Sequence, residues 1–558
     1  MAVFERNISP RITLDDTVPL TCIIERAFNV RDHTEYTLRV QRGPVPEHHW
    51  TLQKRFSDFT TLDAHLSISG VELPLPPKKV FGNMDREFIA ERQQGLQEYM
   101  NTILKTHLLA NNLHVKRFLD EENYNSNLQE VALQDISMFF RSETQWEVVE
   151  PLPDIGWRFR KQYFVVHNKS QPKSSKCLLS WCPFGPDKFL SEKDLRALMK
   201  WLPTIQHPYL YPVEFATIND ASGISIHKFE EKGTLRDVIC KAWPKTQYLK
   251  KYATPRAALP CVMEAVQLFG KQILSTLKYL HDKGLPYGHL HAGNVIVENC
   301  KCRLLDIENS LLGLSSFYRS YFTQFRKIKT IESIDVYCFG HILYEMAFGK
   351  QLGGATCDYF SSECPAEIRS VLESILTTEA CKNGLPTVTD LLQHSLFRNV
   401  VLPPSEKPQV KIPSKLKEAL KAAKQQMEQR LCDEQKLIHK CQKLSKAQAF
   451  HMSEDEKKRR KRNKIKRLSS QMNGQSADEP TTPVTPTVLE SPPDDAASTV
   501  SSTATTDNHT PPAPPGEMSP VTPPAVNGSN GTERGALLGS ITGFNKTQLK
   551  KSPSQAGL

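Results

Sequence analysis

The sequence of 558 residues contains no run that approaches 18 apolar residues, and its N-terminus, from Met1 to Arg6, lacks the apolar core of a secretory leader. We therefore expect neither a membrane-spanning helix nor secretion, so that any attachment to membranes is peripheral. The thirteen cysteines are irregularly spaced, and no second Cys/His pair at zinc spacing accompanies Cys300 and Cys302. This pattern indicates reduced thiols in a cytoplasmic protein without a confident metal site.

Lysine, arginine, phenylalanine, tyrosine and tryptophan are missing from residues 471–530, which contain twelve prolines instead. Such a segment cannot bury enough apolar surface to offset the entropy of ordering it, so we predict a disordered linker over 469–533. Just before it, nine of the eleven residues from Lys457 to Arg467 are basic. This polybasic segment, 456–468, could meet anionic lipid, an acidic protein or a nuclear import receptor, and the alternative is a merely solvated run. The net charge of +10 suits an anionic membrane surface or nucleic acid and does not choose between them.

The N-terminal pattern favours a small domain of strands and helices. Residues 34–40 alternate between apolar and polar, which predicts a half-buried strand, and the alternation resumes before Arg55. One helix is predicted to end near Leu66 and a second to start near Asp85, with a proline-rich, non-helical segment between them.

Residues 14–125 resemble a phox-homology (PX) domain, through the Arg55-Phe56 pair, the prolines that precede Lys79 and the spacing from Lys79 to Arg92. The resemblance implies a phosphoinositide-binding fold with a three-stranded sheet plus helices, and phosphatidylinositol 3-phosphate is the favoured lipid. It implies that Arg55 holds the 3-phosphate, Phe56 stacks under the inositol ring, Lys79 meets the 1-phosphate and Arg92 meets the ring hydroxyls. Guanidinium groups match phosphate oxygens in bidentate fashion and lysine acts as a mobile point charge, so the chemistry is consistent. The alternative is a set of ordinary solvated surface charges.

Residues 150–400 resemble a protein kinase domain, because five pieces occur in the order of that family. These are Gly233–Asp237, Tyr287–Asn294, Leu304–Glu308, Asp335–Gly340 and Pro386–His394. The resemblance implies a bilobal fold. Residues 126–149, between the two resemblances, are interpreted as a connector.

Most residues that transfer phosphate in active kinases are replaced in this chain. With the catalytic loop aligned on Asn294, His289 stands at the position of the catalytic aspartate and His291 at that of the loop lysine. Asn294 and Asp306 are retained, and the resemblance implies that they could contact a nucleotide or its metal.

The small lobe departs further from the kinase pattern. Gly156 is the one glycine where the phosphate-covering loop should lie, and the strand Leu178–Trp181 has no lysine. The position of the glutamate that should pair with that lysine falls near Leu198, so we expect no such ion pair. We predict a pseudokinase that requires no cofactor, with Mg-ATP binding possible but not favoured. The alternative is an atypical serine/threonine kinase with weak ATP-dependent phosphotransfer.

Residues 412–450 predict a charged helix or a short coiled coil. The first heptad a and d positions are apolar, and Arg430 and Glu434 then interrupt the seam. The apolar positions are Leu416, Leu420, Ala423 and Met427.

The last residues predict a short helix with one apolar face, which is too short to be stable alone and should fold on contact with a groove. Over 534–553 the pattern resembles a WASP-homology actin-binding motif, and the alternative is a chance amphipathic tail. The residues that carry the resemblance are Leu537, Leu538, Ile541, Phe544, Leu549, Lys550 and Lys551.

The combined expectation is a multidomain α+β protein: a PX domain, a bilobal kinase-like domain, a charged helix and a disordered tail. The order of modules resembles a family of membrane adaptors, which implies a non-catalytic peripheral protein on the plasma membrane and endosomes. The resemblance implies phosphoinositide, actin and membrane proteins such as sodium/potassium-pump β subunits as partners, with receptor trafficking as the setting. Nucleic acid is not an expected partner.

Overall fold

An antiparallel three-stranded sheet begins the part of the chain that the computed structural model describes, namely residues 14–78, 85–172, 175–404, 408 and 411–472. Its strands, in the order β1-β2-β3, are Leu20–Val30, His33–Arg42 and His49–Arg55. Within the predicted alternating segment, Tyr36, Leu38 and Val40 are buried against the helices, as the pattern indicated. The helices of this unit are α1 (Phe56–Leu66), α2 (Arg86–Lys105), α3 (His107–Ala110), α4 (Leu113–Leu119) and α5 (Glu121–Tyr124). The predicted three-stranded sheet plus helices is confirmed.

A five-stranded antiparallel sheet forms the small lobe of the kinase-like unit. Its strands, in the order β4-β5-β6-β8-β7, are Trp146–Pro151 (β4), Gln162–Asn168 (β5), Lys176–Pro183 (β6), Ser222–Lys228 (β8) and Phe215–Ile218 (β7). Helix α7 (Glu192–Trp201) packs beside β7.

The residues interpreted as a connector, 126–149, are instead part of this small lobe. They form α6 (Leu128–Ser142) and the start of β4, and Ala132 and Ile136 are buried in the same core as Trp181. The Trp181 indole donates to Asp135 at 2.9 Å, which attaches the helix to the sheet. The amphipathic character of α6 explains the difference, because its apolar stripe covers one face of the sheet.

The large lobe is helical, with a two-stranded hairpin of Val295–Glu298 (β9) and Lys301–Leu304 (β10). Its helices are α8 (Leu235–Cys240), α9 (Tyr248–Tyr252), α10 (Met263–Lys283), α11 (Glu308–Leu311), α12 (Arg319–Phe322), α13 (Ile331–Phe348), α14 (Ala366–Leu376), α15 (Thr378–Asn383), α16 (Val388–Gln393) and α17 (Ser395–Arg398). Helix α13 is buried on all sides, as expected for the central helix of a lobe. The predicted bilobal arrangement is confirmed.

The predicted charged helix is one long helix, α18 (Ser414–Met472), which continues through the polybasic segment and into the first residues of the expected linker. The apolar a and d positions of this helix are covered without a second helix from another chain. Leu416, Leu420 and Ala423 are buried in the core cluster of the kinase-like unit, which includes residues of both lobes, and Leu431 continues this apolar face. The helix therefore uses its heptad-like positions to pack on its own chain.

The PX unit also packs on the kinase-like unit within residues 14–472. The ring of His107 on α3 lies 4.8 Å from the ring of Phe317, and the Thr254 hydroxyl donates to the Ser69 carbonyl at 2.7 Å. No helix in the described ranges has the length and apolarity to cross a bilayer. Lys79 and residues 473–558, with every predicted actin-binding residue, lie outside the described residues.

Candidate functional site

The lipid-binding residues predicted from the sequence converge at the start of α1. Arg55 is the residue before α1, and its side chain is 56% exposed. Arg92, on α2, is 6% exposed, and its guanidinium carbon lies 4.1 Å from the centre of the Phe56 ring. Arg92 also donates to the Pro77 carbonyl at 3.2 Å. The fold therefore brings Arg55, Phe56 and Arg92 together, while Lys79 lies outside the described residues.

Arg55 is paired with a carboxylate for which an anionic head group would have to substitute. The Arg55 Nε lies 3.5 Å from Glu35 Oε1 on the neighbouring strand β2. The Glu35 carboxylate is also 3.0 Å from His33 Nε2, and hydrogen bonds to Asp32 and Glu35 raise the pKa of His33. A phosphate that bound the Arg55 guanidinium would therefore compete with the Glu35 carboxylate. The sequence pattern did not reveal this contact.

The degenerate catalytic loop is held rigidly by the large lobe. Asp335 on α13 accepts from the Gly288 amide and contacts His281 Nε2, both at 2.8 Å. The Asn294 side chain donates to the His289 carbonyl at 2.5 Å and accepts from the His291 amide at 3.0 Å. Asn294 therefore holds the turn of the loop.

His289 is poorly suited to accept a proton from a substrate. Burial, together with the cations of Arg158 and Lys161, holds the pKa of His289 well below its ordinary value, so the ring is neutral at pH 7. Arg158 Nη2 lies 3.2 Å from His289 Nδ1, and a guanidinium can only donate, so that nitrogen is already an acceptor. His291 is similarly engaged, because its Nδ1 accepts from the Gly293 amide at 3.1 Å.

A buried lysine that the sequence reasoning missed lies beside Asp306. Lys161, just before β5, is 1% exposed, and its Nζ lies 3.0 Å from Asp306 Oδ1 and 3.4 Å from Glu308 Oε1. This is not the lysine–glutamate ion pair that the sequence predicted to be absent, since that pair would join the strand Leu178–Trp181 to the position of Leu198. Strand β6 has no lysine at Leu178–Trp181, and the buried lysine is instead the residue that precedes the adjacent strand β5. The sequence feature that could have indicated this lysine is the group of basic residues that follows Gly156, namely Arg158, Arg160 and Lys161.

The residues that the kinase resemblance assigns to Mg-ATP do not fit a bound magnesium ion in this arrangement. The Asp306 carboxylate is paired with Lys161 through Oδ1 and contacts Asn309 through Oδ2 at 3.4 Å. Asn294 is used within its own loop. Both groups are therefore committed to protein partners.

The cleft beside the catalytic loop is filled from two directions. The Trp157 ring, from the loop that should cover phosphates, lies 5.1 Å from Phe317 and 6.3 Å from His291. On the other side, Met427 and Leu431 of α18 line a cavity of about 30 Å³ that borders His289 and Gly288. Such a space holds water but is far smaller than a nucleotide.

A buried ionic cluster joins three units of the chain. Arg319 lies 3.3 Å from Asp15, 3.3 Å from Asp187 and 2.6 Å from Glu434, and Arg430 pairs with Asp15 at 3.0 Å and Asp187 at 2.6 Å. We call these five residues the ionic cluster. Although burial raises it, the two arginines and Thr17 hold the pKa of Asp15 at about 2. The residues that interrupt the heptad seam, Arg430 and Glu434, are those that dock α18.

Comparisons with known proteins agree with this architecture. The family described as PX domain matches residues 44–122. The chain is 55% identical over 449 residues to a PX domain-containing protein kinase-like protein of Mus musculus, covering 80% of this chain and 77% of the mouse protein. It is 34% identical over 279 residues to the Slowpoke-binding protein of Drosophila melanogaster, covering 46% of this chain and 53% of that protein. It is 30% identical over 292 residues to slob1 of Dictyostelium discoideum, described as a probable inactive serine/threonine-protein kinase, covering 46% of this chain and 48% of that protein. The chain therefore belongs to the family of PX domain-containing protein kinase-like proteins.

Proposed function

We propose that this protein is a non-catalytic peripheral membrane adaptor that binds a phosphoinositide through its PX domain. The observation that carries the proposal is that the groups which would handle a nucleotide are paired with one another. Lys161 neutralises Asp306, Asn294 holds the loop, and Arg158 covers His289. Phosphoryl transfer depends on positioned, available groups, so these pairings favour a binding role.

The lipid site is proposed to be formed by Arg55, Phe56 and Arg92, and Lys79 is proposed as a further residue that contacts the lipid. The two guanidinium groups supply the charge and the fork geometry that phosphate oxygens need. The N-terminus of α1 adds a favourable dipole beside Arg55. Phosphatidylinositol 3-phosphate is the proposed lipid, and the proposed location is the cytoplasmic face of the plasma membrane and endosomes.

The kinase-like unit is proposed to bind a protein. The Drosophila relative is described as binding Slowpoke, and the Dictyostelium relative as a probable inactive kinase. A shared unit that serves recognition in place of catalysis would account for both descriptions. We further propose that the cargo includes membrane proteins such as sodium/potassium-pump β subunits, that the setting is receptor trafficking, and that residues 534–553 bind actin.

Liposome sedimentation of the full chain tests the lipid proposal. Wild-type protein should sediment with vesicles that contain phosphatidylinositol 3-phosphate and much less with phosphatidylinositol vesicles. Arg55→Ala should lose most of this difference, whereas Arg141→Ala, at an exposed arginine of α6, should retain it. Equal sedimentation of the Arg55 variant and wild type would contradict the proposal.

An atypical kinase is the second candidate, because the buried Lys161 ammonium lies 3.0 Å from Asp306, the residue that the kinase resemblance assigns to the metal. A thermal shift of the full chain with millimolar Mg-ATP separates the two, since a ligand that binds only the native state raises the midpoint. We expect no shift. A shift, together with labelled phosphate transfer that Asp306→Asn abolishes, would favour the kinase.

A further inference from the structure

Lys161 is the centre of a buried polar cluster that also includes His227, Asp306, Glu308 and Asn309. An ammonium group can donate three hydrogen bonds, and the acceptors around Lys161 Nζ are Asp306 Oδ1, Glu308 Oε1 and Asn309 Oδ1, at 3.0, 3.4 and 3.0 Å. Its donors are therefore saturated by side chains that follow the catalytic loop. The cluster is closed to solvent, because Lys161, His227 and Glu308 are buried.

Two atoms of this cluster are not satisfied by the described residues. Glu308 Oε2 and His227 Nε2 are buried and have no hydrogen-bond partner there. His227 Nδ1 lies 2.9 Å from the Pro212 carbonyl, which can only accept, so this nitrogen carries a proton and Nε2 faces the Glu308 carboxylate at 3.9 Å. An imidazole whose other nitrogen donates to a backbone carbonyl is oriented as metal-binding histidines are.

The donor set is that of a divalent cation site. One ligand atom each from His227, Asp306 and Glu308 lies within 4.8 Å of the others, and a nitrogen with two carboxylates suits Zn²⁺ and Mn²⁺. A metal ion there would lie beside the Lys161 ammonium, and the two cations would repel each other in a dry interior. The site can therefore hold one of them at a time.

We propose that His227, Asp306 and Glu308 form a latent divalent-cation site in which the Lys161 ammonium is the resident cation. The site differs from the metal positions of the kinase resemblance, because it uses His227 and Glu308 and leaves Asn294 in its loop. Lys161 immediately precedes strand β5 of the small lobe, and Asp306 and Glu308 belong to the large lobe. The same ammonium thus closes the two lobes on each other without nucleotide or metal.

Replacing Lys161 with methionine tests the proposal, with Mn²⁺ as the probe. Thirteen thiols would compete for Zn²⁺, whereas Mn²⁺ prefers oxygen and nitrogen ligands and its free form is measured by electron paramagnetic resonance. The full-length Lys161→Met protein should bind one Mn²⁺ per chain at least tenfold more tightly than wild type, and Mn²⁺ should raise its unfolding midpoint. Adding Glu308→Gln to this variant should abolish both effects.

Lys251→Met is the matched control, since Lys251 is another buried lysine, paired with Asp237 at 3.0 Å, and no gain of Mn²⁺ binding is expected there. Equal Mn²⁺ affinity of the Lys161 variant and wild type would overturn the proposal. If Lys161→Met does not fold, Lys161→Gln and the wild type remain informative. Wild-type protein should contain no stoichiometric metal by mass spectrometry, and EDTA should leave its unfolding midpoint unchanged. A metal ion bound at this site in wild type, or no gain of Mn²⁺ binding in Lys161→Gln, would count against Lys161 as the resident cation.

Discussion

Replacing Arg319 with methionine should detach α18 from the kinase-like unit. The Arg319 side chain is 6% exposed and pairs with three carboxylates, those of Asp15, Asp187 and Glu434. Methionine keeps much of the side-chain volume but supplies no charge. The two aspartates then remain buried, with Arg430 as the one arginine left in the ionic cluster.

The expected cost follows from burial. Removing one member of a buried ion pair typically costs about 3–5 kcal/mol, because the remaining charge is left in a poor dielectric without its partner. Since α18 supplies two of the five residues of the cluster, we expect most of this loss to appear as opening of the helix. A loss of 3 kcal/mol corresponds to roughly a 100-fold fall in hydrogen-exchange protection.

Hydrogen exchange of the backbone amides in 414–435 measures this opening. Lys436→Met is the control on the same helix, because Lys436 pairs with Asp433 at the exposed surface, and such pairs contribute little. The reasoning would be refuted if Arg319→Met left protection in 414–435 as it is in wild type while the protein remained folded. Equal losses in both variants would also contradict it, since burial would then not decide the cost.

Three further outcomes are expected. Glu35→Gln should tighten binding to phosphatidylinositol 3-phosphate vesicles by a few-fold, because it removes the competitor for Arg55; weaker binding in sedimentation would show that Glu35 supports the site. Burial and the nearby cations lower the pKa of His107 to about 4, so stability should fall by up to about 3 kcal/mol as the pH drops from 6.5 towards 4, where the unfolded chain takes up the proton first. His107→Phe should flatten that slope in urea titrations, and an unchanged slope would assign it to other groups. Glu345→Gln should cost about 3–5 kcal/mol in urea unfolding, because it leaves the fully buried Arg236 without its bidentate partner; a change under 1 kcal/mol would contradict this.

The elements that were predicted well have local signatures. The alternation over 34–40 and the helix after Arg55 can be recognised from residues that are close in sequence. The structure contains the corresponding strand and helix. The kinase-like order was recognised from short pieces such as Tyr287–Asn294, which lie in the large lobe as the resemblance implies. Helix α6 was missed because its strongest signal, an apolar stripe, becomes meaningful only when a sheet lies beneath it.

The sequence by itself determined the PX domain, the kinase-like unit and the charged helix that follows them, together with the strand and helix pattern around Arg55. Tertiary structure alone decided how charges pair. Arg430 meets Asp15 across 415 positions, and Lys161 meets Asp306 across 145. A charge in a sequence looks the same whether it is solvated or buried, and its partner is chosen by the packing that excludes water from both.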